Sequence, residues 1–565
     1  MNNQIDTFRN TRPPINKVLA GLGILLVLLI STWFVLDTMF PRSVTQASAS
    51  VAVFSGERAM KHLPVIAHEP HPQGSSAQAR VRDYLVEQLS TLGLETEIQR
   101  SGSLENVVAR LHGSKPTGAI VVLAHYDSTK ASPGAVDNGS GVAVLLEVMR
   151  ALTAGPTPHN DVIALFDDGE ELPDPYTGAK LFVREHPWMS DVQVVISLDT
   201  AIGGPITTNE TGPQNGLLVQ AMARAYTGGV WTSFSGGGNY DYTPFRDAGI
   251  QGLALEDNYP FREQHTAFDL PEIVNAGSVQ QMGEQTLSIV RELGGLDLTN
   301  PWGEHETWFS IPAILVHYPE AWALPLAITA GVMLVLALGL TLWRGYVTWR
   351  GLVVGFGAIL STAVVAGFAT GALFDRVPDL AGWDTQLWPE WPEVIPPNGG
   401  LYFAGLGLIV LVLVIIVYRV LRRWCGRPDF SVSVLPPFLV AAVALGVALP
   451  RTAYMPTWIV LVGSLAWIAA AMAGKARRVW SVDLAALLEA VGFLLLLFPF
   501  LPGVFMSDGF KSITILAGFW AMILFATLPV VEGAMTHLRS ASQTPHLTVN
   551  EADGKQRSIP LEWSP

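Results

Sequence analysis

The sequence predicts two architectures in one chain. One is an α/β domain with a mostly parallel central sheet flanked by helices. The other is an all-α region of several membrane-spanning helices. Three observations predict this. Half of the 565 residues are hydrophobic and only 15% are charged, whereas soluble domains are about a quarter charged. The apolar excess is confined to long runs on either side of a segment of mixed polarity. Within that segment, short β-rich runs alternate with amphipathic helical patterns, the order that builds a parallel sheet.

The first apolar run, Val18 to Leu36, follows Arg9, Arg12 and Lys17. Ala47-Ser48-Ala49 resembles a signal cleavage site, but the run is longer than the roughly 7–15 residues of a signal h-region. It reads as an uncleaved anchor with its N-terminus in the cytoplasm, so that residues 1–42 form a cytoplasmic end and anchor. Residues 43–310 form the α/β domain. Val107 to Leu111, Ala119 to Leu123, Asp161 to Phe166, Val192 to Leu198 and Ile250 to Leu255 read as strands. Ala77 to Leu92 places Val81, Tyr84, Leu85, Leu89 and Leu92 on one helical face, and Gly141 to Leu152 and Ile273 to Leu293 follow the same period.

Residues 311–531 hold seven further runs, about 323–343, 351–374, 401–418, 432–450, 458–474, 484–506 and 513–531, each near the roughly 20 residues a spanning helix needs. Arg344 and Arg350 follow the first. The gap from Asp375 to Gly399 is acidic. Arg419, Arg422, Arg423 and Arg427 come next, and Lys475, Arg477 and Arg478 later. Basic clusters in every second gap satisfy the positive-inside rule. Eight spans then put residues 43–310 on the non-cytoplasmic side and a polar tail, 532–565, in the cytoplasm. Glu489 lies inside a run but near its edge, where interface placement or snorkelling is the expectation.

The net charge of −14 argues against nucleic acid, whose binders present a basic face. A lone Cys425 excludes a disulfide framework within the chain and a thiolate zinc finger.

Five motifs in residues 43–310 carry chemistry. His125 and Asp127 close an apolar strand and point to one face, where a carboxylate can fix the tautomer of a metal-bound imidazole. Asp137 stands in the Gly-rich Pro133 to Gly141, where a helix cap is the plain alternative. Glu170 and Glu171 follow the strand Asp161 to Phe166. Adjacent acids repel unless a metal takes one while the other polarises water. Asp199 ends the strand Val192 to Leu198, and His265 lies in Glu263 to Asp269. His125, Asp137, Glu171, Asp199 and His265, with Glu170 left as a base, are thus candidates at strand ends, where open α/β sheets form sites. Nitrogen and oxygen donors without thiolates suit zinc.

This set, in this order, resembles the zinc aminopeptidases of metallopeptidase family 28. His71 to Ser75 resembles the family's entry segment, and Thr211 to Asn215 and Tyr242 to Ile250 resemble the membrane-anchored branch, the endoplasmic reticulum metallopeptidases and vacuolar membrane proteases. The resemblance covers about residues 60–340 and implies a zinc-exopeptidase-like domain. It implies two zinc ions bridged by Asp137, one completed by His125 and Asp199, the other by Glu171 and His265. It further implies Glu170 as general base and Asp127 as the residue orienting His125. The chain departs from the family at Gln264, where relatives often have Tyr. Tyr240 and Tyr242 are the candidates for that phenol's role toward substrate.

The expected function is a multi-pass, membrane-anchored aminopeptidase acting on peptide or protein N-termini, with the lipid bilayer as its other partner. A glutaminyl cyclase on the same fold, a receptor or scaffold with a silent peptidase domain, and transport by the spans are the alternatives.

Overall fold

The computed structural model describes residues 15–212, 214–229, 231–233, 240–257, 263–311, 314–377, 380, 399–473, 478–542, 546–550 and 556–560. Most of the acidic gap 375–399, and Lys475 and Arg477 of the last basic cluster, lie outside these. The longer helices are numbered below.

Strands β1 (Glu95–Ser101), β2 (Leu104–Leu111), β3 (Ala119–His125), β4 (Asp161–Asp167), β5 (Val192–Leu198), β6 (Ile206–Thr211) and β7 (Gln251–Asp257) form one sheet in the order β1-β2-β4-β3-β5-β7-β6. Its centre, β4-β3-β5-β7, is parallel, and β1, β2 and β6 join antiparallel. The sheet centre needs cover on both faces, and every residue of β3 and β4 is buried. Ile120, Val122 and Ala124 face a core built with helices α2 (Ser76–Thr91), α3 (Ser140–Thr153), α5 (Gly216–Ala225) and α6 (Ala276–Gly294). Ala119, Val121 and Leu123 face the other layer, where α4 (Thr177–Glu185) contributes Phe182. Ser75 caps α2 by accepting from the Gln78 N–H, and Asn275 caps α6 through the Gly277 and Ser278 N–H groups. Strands β1 and β6 lack the long apolar runs of the centre, which is why sequence pattern alone misses them.

Eight helices among the described residues are long and apolar enough to cross a membrane. They are α1 (Ile15–Thr38), α7 (Ala323–Trp343), α8 (Trp349–Phe374), α9 (Gly399–Leu421), α10 (Arg427–Ala448), α11 (Tyr454–Met472), α12 (Arg478–Leu496) and α13 (Ile513–Ser542). The chain is a multi-pass membrane protein. Two expectations change. Glu489 does not snorkel: α12 begins well before it, at Arg478, and its side chain is 1% exposed, with Oε2 accepting a 2.6 Å hydrogen bond from Trp467 Nε1. The polar tail does not begin at 532. Helix α13 runs on to Ser542, and Glu532 is paired with Arg422 and the Tyr418 hydroxyl.

A hairpin of β8 (Glu306–Ile311) and β9 (Ile314–Pro319) crosses residue 310 and joins the two regions. The Phe309 ring stacks on Tyr454 at the start of α11, 4.6 Å between centroids. Thr232 Oγ1 lies 2.7 Å from the Tyr454 hydroxyl, and Ser233 Oγ donates to the Arg451 carbonyl. Thr208 in edge strand β6 donates to the Thr232 carbonyl, so the β6 side of the sheet is the side that meets the bundle.

Candidate metal centre

The parallel strands deliver the candidate residues to one end of the sheet. His125 is the last residue of β3, paired in register with Asp167, the last of β4. Asp199 follows β5 and donates its N–H to the Leu255 carbonyl, which places it beside Glu256 of β7. Glu170 and Glu171 follow β4 after Gly169, whose φ of +80° turns the chain there. A side chain at 169 would also meet Thr177 Oγ1 at 2.2 Å, so only glycine fits.

Asp137 sits in the loop before α3. That loop is tied on two sides. Asn138 Nδ2 donates to the Leu198 carbonyl at 2.8 Å. Asp269 accepts the Val136 N–H at 2.7 Å and the Asp137 N–H at 3.3 Å. The second tie brings the His265 turn onto the Asp137 loop, and His265 itself adopts a left-handed φ of 57°. Residues held in that region against their intrinsic preference cluster at functional sites. Asp269 was legible only as the acid four places after His265, with nothing local to mark its role.

The two Asp137 oxygens face different partners. Oδ1 is 3.3 Å from His125 Nε2, and Oδ2 is 3.3 Å from His265 Nε2, which in turn is 3.1 Å from Glu171 Oε1. Two groups of donor atoms result, His125–Asp137–Asp199 and Asp137–Glu171–His265, with the atoms of each within 4.8 Å of one another. Zinc bound at about 2.0–2.1 Å in a tetrahedron has ligands about 3.3 Å apart, so the spacing and the donor chemistry fit that ion. Gln264 Nε2 donates to Asp137 Oδ2 at 2.8 Å.

Charge balance agrees. Burial raises the Asp137 carboxyl, but His125 and His265 outweigh it and hold the group far below the ordinary range. Burial opposes a proton on His265, yet Asp137 and Glu171 push it up to about 11. Burial, then the neighbouring carboxylates, push Glu170 up to about 8 and Asp199 up to about 7. Four carboxylates share this site with two imidazoles, an excess of negative charge that cations offset.

Asp127 does more than face His125. Its carboxylate lies 3.7 Å from His125 Nδ1, beyond hydrogen-bond range, while its carbonyl oxygen is 3.2 Å from that nitrogen. The carboxylate instead accepts the Glu170 and Glu171 N–H groups at 3.2 Å each. Glu170 stands outside both donor groups, its Oε2 4.0 Å from His125 Nε2 and its side chain 23% exposed.

The two tyrosines part. Tyr242 is fully buried on the α4 face of the sheet, and its hydroxyl donates to the Ile250 carbonyl, so it does not reach the site. The Tyr240 hydroxyl donates to Glu256 Oε1 at 2.7 Å. Tyr176, a residue without a sequence signal, follows the Glu170–Glu171 turn. It has a left-handed φ of 62°, and the residues after it are stapled to the Asp168 and Gly169 carbonyls by the Gly178 and Thr177 N–H groups. Burial, then Glu170, Asp241 and Asp199, raise its phenol.

Residues 106–290 match the sequence model described as Peptidase family M28. This segment is an M28 peptidase domain. Over 243 residues the chain is 30% identical to Endoplasmic reticulum metallopeptidase 1 of Mus musculus, covering 39% of this chain and 26% of that one. Over 253 residues it is 30% identical to the Vacuolar membrane protease of Candida albicans, covering 42% and 30%. The match thus spans between a quarter and a third of the length of these relatives. Among solved structures, the LapA aminopeptidase of Legionella pneumophila aligns with a TM-score of 0.39 at 15% identity, over 43% of this chain and 73% of that one. Glutaminyl cyclase of Porphyromonas gingivalis aligns with a TM-score of 0.38 at 21% identity, over 43% and 99%. The M28 match contains His125, Asp137, Glu170, Glu171, Asp199 and His265.

Proposed function

We propose that the chain is a di-zinc aminopeptidase whose M28 domain faces the non-cytoplasmic side of its membrane. The observation that carries the reading is the split of Asp137, one oxygen toward each donor group, with Glu170 left outside both. His125 and Asp199 would hold one ion, Glu171 and His265 the other, and Asp137 both. Bound zinc supplies Lewis acidity, polarising a carbonyl and making water acidic near neutral pH. The protein's own groups do the rest. The Glu170 carboxylate takes a proton from the attacking water as the new C–O bond forms, then gives it to the amine nitrogen as the C–N bond breaks. Asp127 holds the Glu170–Glu171 backbone in place. Tyr176 donates its phenolic hydrogen to the oxygen on which charge develops, the role that Gln264, bonded to Asp137, does not fill.

The orientation is supported by the junction. The β8–β9 hairpin packs at the α10–α11 turn, on the side opposite Arg344, Arg422 and Arg427. Residues 1–42 would provide the anchor and both ends of the chain would be cytoplasmic. A reporter fused after Pro565 tests this, and finding it outside overturns the topology.

The catalytic test uses purified full-length protein and aminoacyl-chromophore substrates, with and without chelator, beside Glu170→Gln. We expect chelator-sensitive cleavage, two zinc ions per chain, and a loss in kcat of about 10²–10⁴-fold in the variant. One zinc per chain with cyclisation of an N-terminal Gln peptide and no cleavage would replace the aminopeptidase reading by the cyclase one.

A further inference from the structure

Two of the candidate ligands belong to a longer row. Alternation along the strands sends Val122 and Ala124 of β3, Ala164 and Phe166 of β4, Ile196 and Leu198 of β5, and Leu253 and Leu255 of β7 into one core. The residues between them face the other layer, and at the strand ends these are His125, Asp167, Asp199 and Glu256. A Cβ at Gly252 of β7 would run into the Tyr242 ring of that layer. Register sets the four residues side by side. His125 pairs with Asp167, Leu123 with Ser197, and Leu198 with Leu255. The Asp199 N–H donates to the Leu255 carbonyl and the Asp257 N–H to the Thr200 carbonyl, so the two bonds bracket Glu256. Glu256 therefore stands one strand spacing, about 4.8 Å, beyond Asp199 on the same face.

The two acids that end β7 have different surroundings. Asp257 is buried, and its Oδ2 accepts the Ile202, Gly203 and Gly204 N–H groups at 3.0, 2.7 and 2.6 Å. It holds the turn after Asp199. Glu256 is partly exposed, unlike Asp167 at the other end of the row, which is fully buried. Its backbone pairs with Thr207 on the far side, and the Tyr240 hydroxyl donates to its Oε1 at 2.7 Å. The carboxylate is thus carried on a paired strand and aimed by a phenol, the rigid support that recognition of a small group needs.

Its charge calls for a cation. Two divalent ions would balance Asp137, Glu170, Glu171 and Asp199, and Glu256 is a further acid beside them. Burial, then Asp199, raise its carboxyl, and a cation next to it reverses that push. A peptide N-terminus brings such a cation. Its nitrogen is two covalent bonds from the first carbonyl carbon. With that carbonyl at the ions, the nitrogen falls within reach of a carboxylate one strand beyond a metal ligand.

We propose, resting on the aminopeptidase reading, that the Glu256 carboxylate binds the α-ammonium of the substrate's first residue, with Tyr240 orienting it. Glu256 then selects free N-termini over blocked ones.

The test is calorimetric titration of the zinc-loaded full-length chain with leucine hydroxamate and with isocaprohydroxamate, which lacks only the α-amine. We expect the amine to tighten binding about tenfold or more, as a charge-assisted hydrogen bond does. Glu256→Gln should cut that ratio to about threefold or less, with isocaprohydroxamate binding and zinc content unchanged. Tyr240→Phe keeps the charge and removes its orienting donor. It should lower the ratio about threefold, and it decides the matter if the Gln variant does not fold. A ratio that survives these changes overturns the assignment. So does an equal weakening of both hydroxamates, which would make Glu256 a support of the metal centre. A wild-type ratio near one overturns it as well, and aminoacyl-chromophore substrates then separate the causes. Cleavage retained leaves the aminopeptidase reading standing, and cleavage absent removes both.

Discussion

Asp127→Asn is the sharpest probe of the site, because the structure gives this carboxylate two duties. The substitution keeps the shape and removes the charge. An amide has one acceptor oxygen, so one of the two N–H groups of Glu170 and Glu171, both now at 3.2 Å from a carboxylate oxygen, would face an NH2. Losing a hydrogen bond to a charged group costs about 1.5–3 kcal/mol, and each 1.36 kcal/mol is a factor of ten. The same change removes a negative charge 3.7 Å from His125 Nδ1. At an effective dielectric near 20 that interaction with a full positive charge is about 4 kcal/mol, an upper bound for an imidazole that only shares a cation's charge. The expected result is a fall in kcat/KM of about 10²–10³-fold with a zinc affinity weakened about 10–100-fold, as for other residues that support metal ligands. Steady-state kinetics with aminoacyl-chromophore substrates and a zinc titration by competition with a chelator measure the two. A variant within threefold of wild type in both would refute the reasoning, since it would mean that neither backbone support nor the charge matters.

Other outcomes follow from the same geometry. Gly169→Ala forces a Cβ into a position with φ of +80° and 2.2 Å from Thr177 Oγ1. It should destabilise the protein by about 1–3 kcal/mol and lower kcat by displacing Glu170, read by thermal melting and kinetics together. Tyr176→Phe should lower kcat about tenfold while leaving KM and zinc content unchanged; a loss of zinc instead would make it a structural residue. Removing metal with a chelator should lower the melting temperature, and zinc at a thousand times its Kd should restore about 4 kcal/mol. A melting temperature indifferent to chelator would argue against any site at Asp137. Phe309→Ala, at a buried ring stacked on Tyr454, should cost about 3–5 kcal/mol and expose the 303–322 connection to limited proteolysis. Tyr454→Phe, which loses only the Thr232 hydroxyl contact, should cost about 1 kcal/mol.

Much of this protein is written in local pattern. The apolar-rich runs at 119–123, 161–166 and 192–198 read as strands covered on both faces, and the long runs after residue 320 as helices in lipid. Periodicity and length are properties of neighbouring residues, so they are visible without the fold. The same holds for the acids and imidazoles at strand ends, because a parallel sheet sends all its C-terminal ends to one side. What the tertiary structure alone decided is where side chains point and what meets them. Asp137 divides its oxygens between two imidazoles because Asp269 and Leu198, distant in sequence, tie its loop from two sides. Tyr242 is lost to the core although its motif looked promising. Glu489 is buried against Trp467 because helix α12 begins earlier than its apolar run. The ties of the Asp137 loop and the Glu489–Trp467 bond join residues 22 to 133 positions apart, and such contacts leave no trace in the spacing of a single stretch of chain.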